Sequence, residues 1–357
     1  MSDDFQYRNS DLVVFNDKVI SLAVRRNADK STSLIFRSNK HLSDNVLYTS
    51  TERIIEDFQV IGENSNIRIV WRERKNLLFA ESEFHYAEIT GEGFLIEHRV
   101  LQCKDRNCKH AALLRVKMST TGYLVFAVIS EVTKKVILAA YDLNSYSQVA
   151  STLTLNDAVN ERYLTSQKID KANVVLLSIN DNTMYLQFLL TSGTLRNYSV
   201  TVNEISGEVQ ASKLFDFALD NIGYHNSLID SEKKLILITY STAEKENNSI
   251  YAAKQKLFSS HPLRAGEYMK VSQTSGDYFR PFVIKQDDGY LIAWEDGSIH
   301  YTVIDSDLDI IEAETTQDAV SPGRILLTKG NGIFSSCQTG NSSNRDFGSS
   351  FLLKKLG

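Results

Sequence analysis

The residues best suited to chemistry sit in one octapeptide, "CKDRNCKH" (103–110). Cys103, Cys108 and His110 could supply three ligands to a zinc ion. No CxxC or HxxH pair elsewhere completes a tetrahedron, and the gap between the thiols is wider than in common zinc knuckles. The spacing therefore favours free thiols in a loop and no metal or other cofactor. "DSDLD" (305–309) sets Asp305, Asp307 and Asp309 at the alternate spacing of hard-cation loops, but it lacks the turn glycine and closing carboxylate. It reads as a solvated hairpin turn. The chain has no G-x-S-x-G elbow and no P-loop, and its seven His are dispersed. Among 44 acidic residues no pair is marked out by spacing for glycoside hydrolysis. The balance weighs against an enzyme.

Such residues need a frame, and the bulk composition bounds it. The 357 residues suffice for two or three ordinary domains or one large repeat architecture. An apolar share of 42% and a charged share of 23% are those of a globular protein with a sizeable core. A net charge of -5 gives no electrostatic reason to expect nucleic acid as a partner. The start "MSDDFQYRNSD" lacks the basic and apolar regions of a signal peptide. Runs such as "YLVFAVI" (123–129) are too short to span a bilayer. The expected location is cytoplasmic or within a larger particle. Three cysteines do not make a disulfide framework.

Short β-prone runs separated by polar turns dominate the chain. "GYLVFA" (122–127) returns as "GYLIAW" (289–294), and related anchor strands occur at 18–24, 67–71, 184–190, 235–240 and 333–337. Successive anchors start roughly 43 to 61 residues apart, the period of a four-stranded repeat. An apolar strand precedes each anchor: 11–15, 58–61, 111–116, 173–179, 226–230, 281–285 and 324–328. Third strands follow, such as "NLLFAES" (76–82), "VILAAYD" (136–142) and "SIHYTVID" (298–305). "TERIIEDF" (51–58) and "EVTKKVILAAYDL" (131–143) also permit helices, although the second aligns with strand in another repeat. The basic clusters "RERK" (72–75) and "EKEN" (244–247) with its flanks read as solvated hairpin tips. Trp71 and Trp294 hold equivalent anchor positions and read as packing residues. Cys337 falls inside the last anchor.

These repeats resemble the seven-bladed β-propeller superfamily over essentially the whole chain. The resemblance implies an all-β fold, a single domain over 1–357 built of four-stranded antiparallel blades. Approximate repeats are 11–56, 57–107, 108–166, 167–220, 221–275, 276–318 and 319–357, with 5–8 available to supply the last blade's fourth strand and close the ring. The likeness is architectural: the WD dipeptide and the kelch double glycine are missing. "FRPF" (279–282) resembles the sialidase Arg-x-Pro phrase, but it opens the sixth repeat where that family's phrase opens the first. An Asp-box set on Asp287 and Gly289 would need Ser or Thr at Lys285 and an aromatic at Ile292.

In a propeller, loops leading into the innermost strands converge at the central axis. His110, His225, Arg280 and Arg324 stand there, with Lys171 nearby and Tyr163, Tyr224, Tyr278 and Phe279 beside them. Such a ring could bind an acidic sugar, a phosphate or a carboxylate-bearing peptide. The expected function is a non-enzymatic binding or assembly module for a protein partner, as a scaffold or as a component of a virion or other particle. The competing expectation is a lectin or carbohydrate-active enzyme with a glycan at the axial mouth.

Overall fold

A computed structural model describes residues 6–15, 18–38, 41–63, 66–75, 81–131, 133–158, 174–190, 194–217, 222–242, 248–259, 267–273, 279–286, 289–295, 298–318, 324–327, 333–340 and 347–353. The first sheet runs in order β1 (Gln6–Phe15), β2 (Lys18–Arg26), β3 (Thr32–Ser38) and β4 (His41–Ser50). The second is β5 (Ile54–Glu63), β6 (Asn66–Arg74), β7 (Ser82–Ile89) and β8 (Leu95–Leu101). A short helix, α1 (Arg106–Lys109), leads into the third. That sheet holds β9 (Ala111–Met118), β10 (Tyr123–Ser130), β11 (Lys135–Asp142) and β12 (Ser147–Gln148), with β13 (Leu153–Ala158) also on β11.

The fourth sheet is β14 (Val174–Ser178), β15 (Thr183–Leu189), β16 (Leu195–Val202) and β17 (Val209–Phe217). The fifth is β18 (Ile222–Asp230), β19 (Leu235–Thr242), β20 (Ile250–Lys256) and β21 (Tyr268–Lys270). The sixth is β22 (Phe279–Lys285), β23 (Tyr290–Glu295), β24 (Ser298–Ile304) and β25 (Ile310–Asp318). Last come β26 (Arg324–Leu327), β27 (Ile333–Gly340) and β28 (Phe347–Leu353), with β27 and β28 forming a hairpin. Among the described residues no helix is long and apolar enough to cross a membrane.

Every anchor run is the second strand of its group: β2, β6, β10, β15, β19, β23 and β27. A second strand lies between two hydrogen-bonded neighbours and has both faces covered, so it reads as a continuous apolar run. β10 shows this, since it is buried at every position after Tyr123. The two stretches that permit helices by spacing are strands, β5 and β11.

The chain clusters into two compact units. One holds Met1–Asn156, Asn203–Val209 and Ile333–Gly357; the other holds Asp157–Val202 and Gln210–Gly332. In the first unit β5 lies between β1 and β9, and in the second β18 lies between β14 and β22. First strands thus neighbour first strands, and apolar layers fill the space between successive sheets. Val70, Phe84 and Tyr86 of the second sheet pack with Leu113, Phe126 and Tyr141 of the third. Leu22 and Phe36 of the first meet Ile69 and Trp71 of the second. In the other unit, Tyr185 and Phe215 share a layer with Ile236 and Tyr240. Four-stranded meanders stacked face to face in this way are a β-propeller architecture.

Gln6 and Tyr7 pair with Arg26 and Arg25 at the start of β1, and β1 also neighbours β28 of the last group. Two expectations are corrected. The second sheet's third strand is Ser82–Ile89, in register Trp71↔His85, and not the 76–82 run. Residues 76–80 lie outside the described residues, as do 244–247. Finally, Arg72 is no hairpin tip: it is 3% exposed.

Arg72 is buried because three acids from two segments surround it. Its guanidinium pairs with Glu56, with Asp57 at 3.1 Å and with Glu131 at 2.8 Å, and it donates to the Ala111 carbonyl at 3.0 Å. Burial opposes its charge, but Asp57, Glu56 and Glu131 hold its pKa above the ordinary arginine value. Arg74 bridges Glu56 and Glu131 on the same face. Beside this cluster Gln59 donates to the Val116 carbonyl at 3.0 Å and accepts from the Val116 amide at 2.7 Å. The second and third sheets are thereby joined by polar bonds as well as apolar contact. Arg72→Met is expected to destabilise the chain by about 3–5 kcal/mol, because it strands buried carboxylates. Urea unfolding measures this; Lys18→Met, which breaks an exposed pair with Glu92, should leave the midpoint nearly unchanged.

Candidate functional site

The octapeptide 103–110 forms the crossing from β8 to β9. Asp105 caps α1 by accepting from the Asn107 amide at 2.9 Å, and its other oxygen accepts from Thr152 Oγ1 at 2.5 Å. Gln148 Oε1 accepts from the Lys104 and Asp105 amides, at 3.0 and 3.1 Å. The crossing is therefore held by side chains from the far end of the third sheet. Cys103 is half-buried and its Sγ donates to the Asp105 carbonyl at 2.9 Å. Cys108 is buried and packs with Phe126 and Tyr141, with Cys103 against the same cluster.

The two thiols are unlike. A hydrogen bond from the Cys108 thiol lowers Cys103 to about 7, with burial opposing and the Tyr141 hydroxyl assisting. Cys108, which gives that bond and is more deeply buried, is pushed up. Cys103, Cys108 and His110, the weak zinc candidates, are not brought to one point. Both thiols turn toward the core, whereas His110 ends α1 at the C-cap. No group of three or more His, Cys, Asp or Glu among the described residues is placed to hold a metal. Asp305 instead accepts from the Asp307 and Asp309 amides at 2.7 and 2.8 Å, closing a turn on itself.

The other expected ligands divide between the units. His110 belongs to the first unit, and Tyr224, His225, Arg280 and Arg324 to the second. Tyr224 is half-buried on β18; His225 beside it is 1% exposed and opposes Tyr240 across the ladder. Arg280 is the second residue of β22 and Arg324 the first of β26, and β22 neighbours both β18 and β26. Tyr163, Lys171 and Tyr278 lie outside the described residues.

Sequence reasoning missed two buried titratable clusters. Trp71 stacks on His85 at 5.1 Å and 16° and on His98 at 5.1 Å and 18°, with Tyr48 tilted against the indole at 5.2 Å. Glu73, 2% exposed, accepts from Trp71 Nε1 at 2.9 Å and Ser50 Oγ at 2.8 Å. His85 Nδ1 and His98 Nε2 share a proton position at 3.0 Å. Burial, then the Glu73 charge, pushes Tyr48 up to about 12. Burial lowers His85 to about 4, with Glu73 opposing and His98 and Arg53 assisting. In the second unit Trp294 stacks on His300 at 5.8 Å and 7°, and His300 Nδ1 lies 2.9 Å from Glu314. The available signal was the tripeptide after each Trp anchor, "FHY" (84–86) and "IHY" (299–301), which sets His opposite Trp in both ladders.

One surface stands apart. Among the described residues β8 is the outer strand of its sheet and pairs with β7 alone. Phe94 is 68% and Ile96 52% exposed, and Leu95 and Val100 lie open beside them. Looseness does not explain this. Gly93 has φ +84° and a Cβ there would lie 2.6 Å from Phe36. Its carbonyl accepts from Asn45 Nδ2 at 2.8 Å, and the Thr90 amide donates to the Phe94 carbonyl at 2.9 Å. A fixed turn holds Phe94 in water.

No family model matches the chain, and no curated protein matches it. Solved structures similar to it include the GH93 alpha-L-arabinofuranosidase of Fusarium graminearum in complex with arabinobiose, 8% identical, with 98% of this chain and 93% of that one covered at a TM-score of 0.53. The hydrazine synthase of Kuenenia stuttgartiensis is 10% identical over 94% and 93% of the two chains, at 0.52. The β-propeller domain of the Trilobed protease of Pyrococcus furiosus is 10% identical over 99% of each, at 0.48. At such identities the likeness is one of fold.

The depressed His85 has a measurable consequence. Its folded-state pKa of about 4 lies below its ordinary value of 6.5, so the unfolded chain binds more protons between these limits. Its contribution is complete above pH 6.5 and declines as pH falls toward 4. Urea midpoints at pH 7 and pH 5 should differ less in His85→Gln than in the wild type.

Proposed function

We propose that residues 1–357 act as one propeller domain whose role is non-enzymatic: a rigid binding or assembly module for a protein partner. The observation that carries this reading is the outer strand β8, where Leu95, Ile96 and Val100, with Phe94 just before them, lie open to water around the Glu97–Arg99 pair. An exposed edge strand invites pairing with another chain, and propeller edges are ordinarily blunted by charge. Here the fixed turn at Gly93 keeps the apolar side chains out. The partner fitted to this edge is an extended segment that adds as a strand, with apolar residues at alternate positions. Membership of a virion or other particle would be one use of such an edge.

Selection from a displayed peptide library tests this directly. Sequences with alternating apolar residues should be enriched on the wild type and lose about tenfold in affinity on Ile96→Lys, which places a charge on the edge. Equal binding to the wild type and to Ile96→Lys would overturn the reading.

A second reading, an acidic ligand at the inner-strand starts, is favoured by one observation. Arg280 and Arg324 open neighbouring strands, with Tyr224 on the next one. Under that reading, binding of sulfated or sialylated oligosaccharides on a glycan array is lost in Arg280→Ala and Arg324→Ala, while Ile96→Lys leaves it intact. Undiminished binding in both arginine variants sinks it.

A further inference from the structure

We propose that the strand added at β8 is β8 of a second copy of this chain, paired antiparallel about a two-fold axis at His98. The inference rests on the reading of β8 as a pairing edge and commits that edge to one occupant. The strand runs Leu95, Ile96, Glu97, His98, Arg99, Val100, Leu101, and its residue types mirror one another about the middle. Set antiparallel to itself with His98 at the axis, it places Glu97 opposite Arg99, Ile96 opposite Val100 and Leu95 opposite Leu101, each twice. Directly opposed residues share one face of a sheet, where unlike charges attract and like charges repel. Glu97 and Arg99 already lie 3.2 Å apart along one strand. The second copy completes a square of four charges, each side of which joins opposite signs. Centring the pairing on Glu97 or on Arg99 would oppose like charges, so the sequence specifies the register.

The extent of the open edge gives the same centre independently. Before Leu95 the chain is committed to its turn, with the Thr90 amide donating to the Phe94 carbonyl at 2.9 Å. After Leu101 it is committed to the third sheet. The Gln102 amide donates to the Tyr146 carbonyl at 2.8 Å, and its carbonyl accepts from the Gln148 amide at 3.0 Å, around a parallel bridge to Ser147. What is left for another chain is Leu95–Leu101, whose midpoint is His98. From Glu97 to Leu101 the strand pairs with β7 residue for residue, and its register shift falls at Ile96. The centre of the contact is therefore regular strand. An isologous contact uses one patch twice and closes at two copies, so it covers the edge without building a fibre. In dilute solution the copies separate and each β8 edge is open.

Sedimentation velocity of the full chain over a concentration series tests this. The wild type should sediment as a dimer that dissociates on dilution. Glu97→Arg and Arg99→Glu should each raise the dissociation constant at least about tenfold, since each sets like charges across the axis. An equimolar mixture of the two variants should recover the dimer, and so should the chain carrying both changes, because unlike charges then face each other again. No folding defect produces that recovery. A wild type that stays monomeric up to about 100 μM, or a dimer indifferent to both reversals, would overturn the inference. If such a monomer still binds peptides of alternating apolar residues and loses them on Ile96→Lys, the occupant alone is wrong and the edge reading stands. Absence of both self-association and peptide binding removes the two together.

Discussion

A four-stranded antiparallel sheet with apolar residues on both faces cannot satisfy itself, and the structure is organised by that constraint. Each sheet needs a neighbour on either side. Between the second and third sheets the layer contains Phe84, Tyr86, Phe126 and Tyr141, all buried. Between the fifth and sixth it contains Tyr290, Ile292 and Trp294 with Leu237. Burial of aromatic and branched side chains on this scale is the main stabilising term. Polar bonds then fix how the sheets meet. Gln59 bridges β5 to Val116 of β9, and Asp230 accepts from Tyr290 of the following sheet at 2.8 Å. Apolar layers alone would permit sliding; these bonds set a position.

The same constraint explains where the chemistry-bearing residues go. Arg72, Glu73, His85 and His300 are interior residues with partners, and burial is the main cause of the lowered His85. Perturbed groups of this kind arise in structural networks as well as in active sites. In the first stack Glu73 accepts from the Trp71 indole, and in the second His300 bonds Glu314 while lying against the Trp294 indole. At the surface, the open apolar side chains of β8 and the half-buried Cys103 stand outside these networks.

Much of the architecture was legible in the sequence, because a second strand covered on both faces leaves a mark that survives in one dimension. "YLVFAVI" and "YLIAW" are such marks. Outer and third strands leave weaker ones. The apolar "NLLFAES" reads as the third strand, yet "SEFHYAEI" pairs with β6, with Phe84 and Tyr86 alternating along the ladder. Arg72 could not be read correctly from "RERK". Its burial depends on Glu131, which lies on the turn after β10 and enters the network only once two sheets are stacked. The thiols were visible as a pair, but their unequal depth was not, because it is set by Tyr141 and Gln148 from the third sheet. His225 was placed at a strand opening by count and proved to be interior.

The claim on which this account depends is that the stacked sheets form a stiff frame that leaves the outer edge of β8 open. Native-state hydrogen exchange on the free protein measures both halves at once. The account predicts that amides of β6 and β10 exchange only through global unfolding, while alternate amides of Leu95–Leu101, those turned away from β7, exchange orders of magnitude faster. Uniform protection along β8, equal to that of β6, would mean that the edge is already covered and would contradict it.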